Sequence, residues 1–317
     1  MNNSNVLASL DIGTSKVKVI IGEVTNDGLN VIGVGTAESM GMKKGAIVDI
    51  DKTVQSIQNA VEQAERMIDM DIKRVIVSIN GSHIEMLKCH GVVAVSSETR
   101  EIGDEDIKRV IDASQVISIP PEREIVDVYP QQFVVDGQDE IKDPRGMIGV
   151  RLEMHGTLIT CGKTNLHNIL KCVERAGLEV EDICLQPIAT GEVALSRDEK
   201  NLGVGLINIG AGSTTVSVFM EGQLMDTMVV PLGGDNITKD LSIGLKTSTE
   251  EAENIKKEYG HAYVTDAQRD VTFTSSTIGS NEKKTFDQVF VSEIIEARLA
   301  EIFDFARKEI RRMGFLD

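Results

Sequence analysis

The sequence predicts an α/β protein of two related lobes, with a small α+β subdomain inserted in the first lobe. Three observations lead to this prediction. A strand–turn–strand pattern occurs at residues 8–22 and again at 205–219. The first copy is followed by further strands and an amphipathic helix, an alternation typical of an α/β layer. The segment 83–161 changes to short strands around one helix, and 317 residues are enough to bury two separate cores.

The repeated pattern predicts two tight β-hairpins. In each copy an apolar strand leads to a polar residue, Asp11 or Asn208, then to an apolar residue and a glycine. Glycines let the backbone approach a ligand closely, and successive N–H groups and hydroxyls can surround phosphate oxygens. The turn residues with these properties are Gly13, Thr14, Ser15, Gly210, Gly212, Ser213 and Thr214. A single such hairpin is equally well explained as an ordinary turn. The repetition favours two turns that hold a polyphosphate from opposite sides.

Composition and motifs exclude several other classes of protein. Alternating strand residues follow both turns, and neither the P-loop motif nor G-x-G-x-x-G is present. The formal charge of −17 disfavours nonspecific attraction to nucleic acid or anionic lipid. A phosphate ligand must therefore meet local donors, a lysine or a divalent cation. The four widely spaced cysteines and the polar N-terminus predict a reducing cytoplasm. No apolar run approaches the roughly 18 residues of a membrane-spanning helix.

The first lobe and its insertion follow in order along the chain. Hydrophobic spacing predicts a helix over 51–70 that buries Val54, Ile57, Val61, Ala64 and Ile68. The other predicted strands of the lobe are 29–36, 74–81 and 180–186, and its other helices are 166–176 and one that begins at Pro187. The insertion is predicted to hold strands at 91–95, 124–135 and 148–160, a helix from Asp104 that contains Val116, and polar loops at 136–146. The alternative is that 83–161 is simply more of one large domain.

The polar segment 192–201 is the best lobe boundary. The predicted division is therefore 1–82 with 162–198 for the first lobe, 83–161 for the inserted subdomain and 199–317 for the second lobe. In the second lobe we expect a strand at 223–230, a helix with Ile237, Leu241 and Leu245, a helix 250–259 opened by Ser248, and a final helix 292–312.

Three groups of polar residues have competing interpretations. Glu253 and Lys256 share a helix face, which by spacing alone is typical of a solvated ion pair. The basic end of the last helix is better explained by the helix dipole than by a membrane surface. Histidines and cysteines lie close together in two places, but without the spacing of a closed zinc site, so we expect structural roles. These residues are His83, Cys89, His90, Cys161 and His167.

The duplicated hairpin, the Gly233–Gly234 pair and the helix with Glu253 and Lys256 resemble the two-lobed ATPase superfamily of actin, the seventy-kilodalton heat-shock chaperones and sugar kinases. Within it, the chain is similar to the bacterial cell-division actin homologues of the FtsA family. The stretches that carry this resemblance are 10–15, 45–51, 172–177, 182–187, 231–241 and 295–298. The resemblance implies a duplicated ribonuclease-H-like, actin-like ATPase fold.

The resemblance also implies ATP with Mg²⁺ and a role for each candidate residue. The first phosphate turn maps to Asp11–Ser15 with Lys18, and the second to 210–214. Gly234, Glu253 and Lys256 fall where relatives hold the ribose and adenine, which favours a binding role for the pair. No direct metal ligand is expected; Mg²⁺ would be held through water near Asp11 and Asn208.

Two positions bear on catalysis. Asn208 stands where the superfamily usually has an acidic residue, and an amide loses a charge and cannot act as a base. Gln186 is matched to the residue that positions the attacking water. We therefore expect ATP binding with at most slow hydrolysis, with Asp11 and Gln186 as the catalytic candidates.

The family's role supplies the expected function. Its members link filaments of the tubulin-like protein FtsZ to the cytoplasmic face of the membrane at the septum, form filaments and recruit later division proteins. The resemblance assigns filament contacts and recruitment to the insertion, and the FtsZ tail to the second lobe. Arg298 is the candidate tail contact, with an ordinary surface arginine as the alternative.

The family continues past the equivalent of Asp317 into an adenosine-binding loop, further helices and a membrane-anchoring amphipathic helix. We therefore expect these 317 residues to be a fragment, with membrane attachment through the missing helix; a complete polypeptide is the alternative. The competing functions are a phosphotransferase or chaperone-type ATPase of the same superfamily and a pilus-assembly relative, since a fold does not determine function.

Overall fold

A computed structural model describes residues 5–278 and 283–315. The strands are, in chain order, β1 (Val6–Ile12), β2 (Lys16–Thr25), β3 (Gly28–Glu38), β4 (Met42–Lys43), β5 (Ala46–Ile47), β6 (Arg74–Ile79), β7 (Ile84–Ala94), β8 (Arg123–Val135), β9 (Gln138–Ile141), β10 (Arg151–Gly162), β11 (Glu179–Leu185), β12 (Val204–Ile209), β13 (Thr214–Met220), β14 (Gln223–Val230), β15 (Thr272–Ser276) and β16 (Lys283–Asp287). The helices are α1 (Ile50–Ile68), α2 (Asp104–Ser114), α3 (Lys163–Arg175), α4 (Gln186–Ala194), α5 (Arg197–Leu202), α6 (Gly234–Leu245), α7 (Thr249–Tyr259) and α8 (Gln288–Arg312).

The first lobe is built on a five-stranded sheet in the order β11-β6-β1-β2-β3. The predicted first hairpin is present, since β1 and β2 pair antiparallel from Val6 opposite Glu23 to Ile12 opposite Val17. Strand β6 joins β1 in parallel, and β11 joins β6 in parallel. Alternating apolar residues of these strands form one core with α1 and α3. This arrangement brings the C-terminal ends of β1, β6 and β11 to the same edge of the sheet.

The inserted segment forms a second sheet in the order β7-β10-β8-β9, with α2 packed against one face. Three expectations there were wrong. Strand β7 begins at Ile84, not Gly91. Helix α2 ends at Ser114, whose hydroxyl donates to the Ile111 carbonyl, and Val116 is 86% exposed. The polar stretch 136–146 contains β9, which pairs with β8. The last two expectations failed because apolar spacing continues beyond the end of α2 and because the edge strand β9 is made mostly of polar residues.

The second lobe repeats the hairpin on a three-stranded sheet in the order β12-β13-β14. A separate core joins α6, α7 and α8 with the β15–β16 hairpin. The segment 192–201 includes part of α5, which Ser196 and Glu199 cap reciprocally. The division of the chain into lobes and insertion stays a prediction. Among the described residues, no helix combines the length and apolarity that crossing a membrane requires.

Candidate functional site

The two repeated turns have the same backbone geometry. The N–H of Gly13 donates to the carbonyl of Lys16 at 3.1 Å, and the N–H of Gly210 donates to the carbonyl of Ser213 at 2.9 Å. Both turns are therefore two-residue hairpin loops. A Cβ atom at Gly13 would lie 2.9 Å from that carbonyl oxygen, and one at Gly210 would lie 3.0 Å from its counterpart. Steric crowding explains the glycine that opens each turn.

The turns of the two lobes meet across a cavity. A Cβ atom at Gly212 would lie 2.8 Å from Cγ2 of Thr14 and 3.0 Å from Cα of Lys44. The Thr14 hydroxyl in turn accepts a hydrogen bond from the N–H of Gly45 at 3.1 Å. The cavity between the turns has a volume of about 240 Å³. Its lining is polar and comes from both lobes: Asp11, Ile12, Gly13, Thr14, Ser15, Lys16, Lys18, Gly45, Ser78, Asn80, Gln186, Asn208, Gly210, Ala211, Gly212, Ser213 and Thr215.

The residues that line the cavity carry a net positive charge, although the chain as a whole is acidic. Lys16 and Lys18 line the cavity against a single carboxylate, Asp11. Both lysines lie on the solvent side of β2, because Val17 and Val19 between and beyond them face the core. Hydroxyls, backbone amides and two lysines form a donor set suited to phosphate oxygens. One carboxylate and the amide of Asn208 are left for a hydrated cation.

Partly buried hydrogen bonds hold the polar groups of the cavity in place. The Ser78 hydroxyl donates to Oδ1 of Asp11 at 2.6 Å. Nδ2 of Asn80 donates to Oε1 of Gln186 at 2.5 Å and to Oγ1 of Thr215 at 2.6 Å. Asn80 therefore connects the first lobe, the start of α4 and the second hairpin.

Sequence reasoning missed Ser78, Asn80 and Thr215, and it placed Thr214 wrongly in the cavity lining. The Thr214 side chain is buried, and its hydroxyl donates to the carbonyl of Leu232 at 2.8 Å. The repeat itself contained the signal, because Asn208 is paired with Thr215 as Asp11 is paired with Lys18. Ser78 and Asn80 lie at the C-terminal end of a parallel strand, where ligands bind in open α/β sheets.

Gly234, Glu253 and Lys256 form a separate cluster next to the second turn. Nζ of Lys256 lies 2.5 Å from Oε2 of Glu253 and 3.4 Å from the Gly234 carbonyl oxygen. Burial acts to raise the pKa of Glu253, but hydrogen bonds from Lys256 and Thr238 lower it below its ordinary value. These residues are absent from the lining of the cavity. They adjoin it through Gly210, whose carbonyl accepts from the N–H of Gly234 at 2.9 Å.

Arg298 lies on α8, and its contacts place it in a surface groove that is separate from the cavity between the turns. Its Nε donates to Oδ2 of Asp240 at 2.6 Å, and its Nη1 contacts Glu301. The hydrogen bond that Arg298 donates to Asp240 raises the pKa of Arg298 above its ordinary value. The arginine lines a shallow groove of about 670 Å³ with the apolar side chains of Ile243 and Phe290. Arg298 is thus an ion-paired residue beside an exposed apolar surface.

The fold and the paired turns define a two-lobed actin-like protein, and solved structures agree. The PilM–PilN type IV pilus biogenesis complex matches with a TM-score of 0.65 at 14% identity, covering 97% of this chain and 77% of that one. MreB5 of Spiroplasma citri bound to ADP matches with a TM-score of 0.54 at 11% identity, covering 96% and 78%. These likenesses show the fold alone.

Sequence comparison gives the family. Residues 81–160 match the model of the SHS2 domain inserted in FtsA, and residues 205–314 match that of cell division protein FtsA. The chain is 59% identical over 317 residues to cell division protein FtsA of Bacillus subtilis, covering 100% of this chain and 72% of the relative. The FtsA of Escherichia coli is 34% identical over 309 residues, covering 97% and 73%. The chain belongs to the FtsA family and is a cell-division actin homologue. Membership in this family favours a role in cell division over the phosphotransferase, chaperone and pilus-assembly alternatives.

Proposed function

We propose that this chain binds ATP with Mg²⁺ between its two glycine turns. The observation that carries the proposal is the contact of Thr14 with Gly212 beside a polar cavity that both lobes line. A cavity of about 240 Å³ suits the phosphates, and it is smaller than the roughly 300–1,000 Å³ of typical small-molecule pockets. The nucleoside therefore extends outside it, toward the adjoining cluster of Gly234, Glu253 and Lys256. A solved actin-like relative, MreB5, was crystallised with ADP and with AMPPNP, which supports the same ligand class.

Each group has a proposed role. The turns 13–15 and 210–213 hold phosphate oxygens, and Lys18 supplies a positive charge. Asp11 and Asn208 hold the Mg²⁺ through water, and the ion supplies further charge neutralisation at the phosphates. Gln186 positions water, and its amide oxygen is already bonded to Asn80. Since neither Gln186 nor Asn208 can act as a base, turnover is slow at most.

The Mg²⁺ role of Asp11 gives a direct test of this proposal. With a fluorescent ATP analogue, we expect Mg²⁺ to strengthen binding to the natural chain by about tenfold, about 1.4 kcal/mol. An Asp11→Asn variant should lose this gain and bind equally with Mg²⁺ or EDTA. Asp27→Asn, which removes an exposed carboxylate in the β2–β3 turn, serves as the control and should keep the gain. A Mg²⁺ effect that persists in Asp11→Asn would contradict the assignment.

We further propose that the chain acts as an adaptor of division that links FtsZ filaments to the cytoplasmic face of the membrane. Family membership supports this role, and the SHS2 match over 81–160 supports the insertion as the surface for filament contacts and recruitment. We keep the division into 1–82 with 162–198, 83–161 and 199–317 as part of the proposal.

The groove beside Arg298 is our proposed site for the FtsZ tail. Ile243 is 64% exposed and Phe290 is 37% exposed, so an apolar surface lies next to a guanidinium group. A peptide with apolar and acidic residues would cover the apolar surface and pair its acidic side chains with the guanidinium group. Asp240 holds the guanidinium in position and also competes for it.

An Arg298→Ala variant should bind an FtsZ tail peptide about tenfold more weakly in an anisotropy titration. The matched control is Arg307→Ala on the same helix, because Arg307 is exposed and forms a 3.0 Å pair with Asp304 outside the groove. Equal losses in the two variants would indicate a general effect of charge and would reject the groove as the tail site.

A further inference from the structure

A cluster of metal-ligating side chains lies on the open face of the inserted sheet, away from the cavity between the turns. His90 is on β7, and Glu153 and His155 are on β10. One potential ligand atom from each of the three residues lies within 4.8 Å of the others. We propose that these residues form a binding site for a divalent transition-metal ion of the zinc class.

The sheet fixes the positions of the three residues. His90 and His155 are directly opposite each other in the antiparallel pairing of β7 with β10. Glu153 lies two residues from His155 and therefore on the same face. Leu152 and Met154, on the opposite face, are fully buried. The core thus holds the backbone under the cluster, and binding a metal requires only side-chain movement.

The side chains already interact with one another. The rings of His90 and His155 are stacked with centroids 4.4 Å apart. Nε2 of His90 lies 3.0 Å from Oε2 of Glu153. Zinc binds imidazole nitrogen at about 2.0–2.1 Å, so two nitrogens at a tetrahedral site lie about 3.3 Å apart. The His90 side chain is 45% exposed, which leaves room for the ring rotation that reaches this spacing. Two imidazoles and one carboxylate form a three-ligand set that leaves the fourth zinc position to water or another ligand.

Arg151 is a competitor for the same carboxylate. Its Nη2 lies 3.1 Å from Oε2 of Glu153, and its side chain is 59% exposed. A bound cation would displace this ion pair and would be repelled by the guanidinium. Removing the charge of Arg151 should therefore strengthen metal binding. Adventitious binding at histidines outside the cluster would not respond in this direction.

Zn²⁺ itself is the probe for the test. Competition with a chromophoric chelator on the whole chain should show one Zn²⁺ bound with micromolar affinity. His90→Ala and His155→Ala should each weaken binding by about tenfold or more. Arg151→Gln should strengthen it about threefold, since a surface charge interaction is about 0.2–1 kcal/mol.

His167→Ala is the matched control. His167 is also exposed and lies 3.3 Å from a carboxylate, Glu124, but outside the cluster. Its replacement should leave Zn²⁺ affinity unchanged. Far-ultraviolet circular dichroism identifies variants that fail to fold, for which His90→Gln and His155→Gln are the substitutes. Absence of micromolar binding, or equal affinity in the natural chain and both histidine variants, would overturn the proposal.

Discussion

A Gly212→Val variant should lose ATP affinity by about 100-fold or more, which corresponds to about 2.7 kcal/mol. A Cβ atom at this position would already lie 2.8 Å from Cγ2 and 2.9 Å from Oγ1 of Thr14. The branched side chain of valine adds two further methyl groups to this contact. Because Cα of Lys44 lies on the same side at 3.0 Å, a rotation of Thr14 alone does not relieve the clash. The two turns must separate, and phosphate contacts from the two lobes are then no longer made together.

The measurement is a titration with a fluorescent ATP analogue in the presence of Mg²⁺. Gly205→Val is the matched control, because Gly205 lies on β12 of the same sheet and its Cβ would meet only Cδ1 of Ile310, at an ordinary 3.5 Å. We expect this control to bind like the natural chain. Undiminished binding by folded Gly212→Val would show that the nucleotide is not held between the turns.

A Gly35→Ala variant should lose about 3 kcal/mol of unfolding free energy, at the upper end of typical overpacking costs. Gly35 lies on β3 beneath α1, and a Cβ atom there would be 1.8 Å from the carbonyl oxygen of Ala60. The carbonyl carbon of Ala60 and the nitrogen of Ala64 would both be 2.9 Å away. All three contacts are with backbone, so no side-chain rotation relieves them and the helix must move from the sheet.

Urea unfolding followed by circular dichroism measures this loss. The control is Gly22→Ala on the neighbouring strand, where the Cβ would meet the Leu29 side chain at 2.7 Å. Leu29 is 62% exposed and can rotate away, so we expect a cost below about 1 kcal/mol. Similar losses in the two variants would contradict the close approach of α1 to β3.

The repeated hairpins were predictable because each is encoded by neighbouring residues. Strand alternation, the turn glycines and the polar residue before each turn all lie within a few positions of one another. The same local periodicity predicted α1 and its buried face. It failed at the end of α2, where Val116 continues the apolar spacing but not the helix. Apolar spacing does not record where a helix stops, because hydrogen bonds at the helix end decide that.

The candidate site was predictable in part. The turns and Asp11 were found from the repeat, whereas Ser78 reaches Asp11 only through the parallel pairing of β1 with β6. Asn80 contacts Gln186 across 106 residues of sequence. Thr214 was assigned to the cavity because it is polar, but the pleat turns it toward the core.

By itself, the sequence determined the two-lobed α/β class, the duplicated turns and the family, because these depend on short runs of residues. Tertiary structure alone decided that Gly212 faces Thr14 and that His90 stands opposite His155. The physical reason is strand pairing: register and sheet order bring distant residues together, and no spacing along the chain records which strand lies beside which.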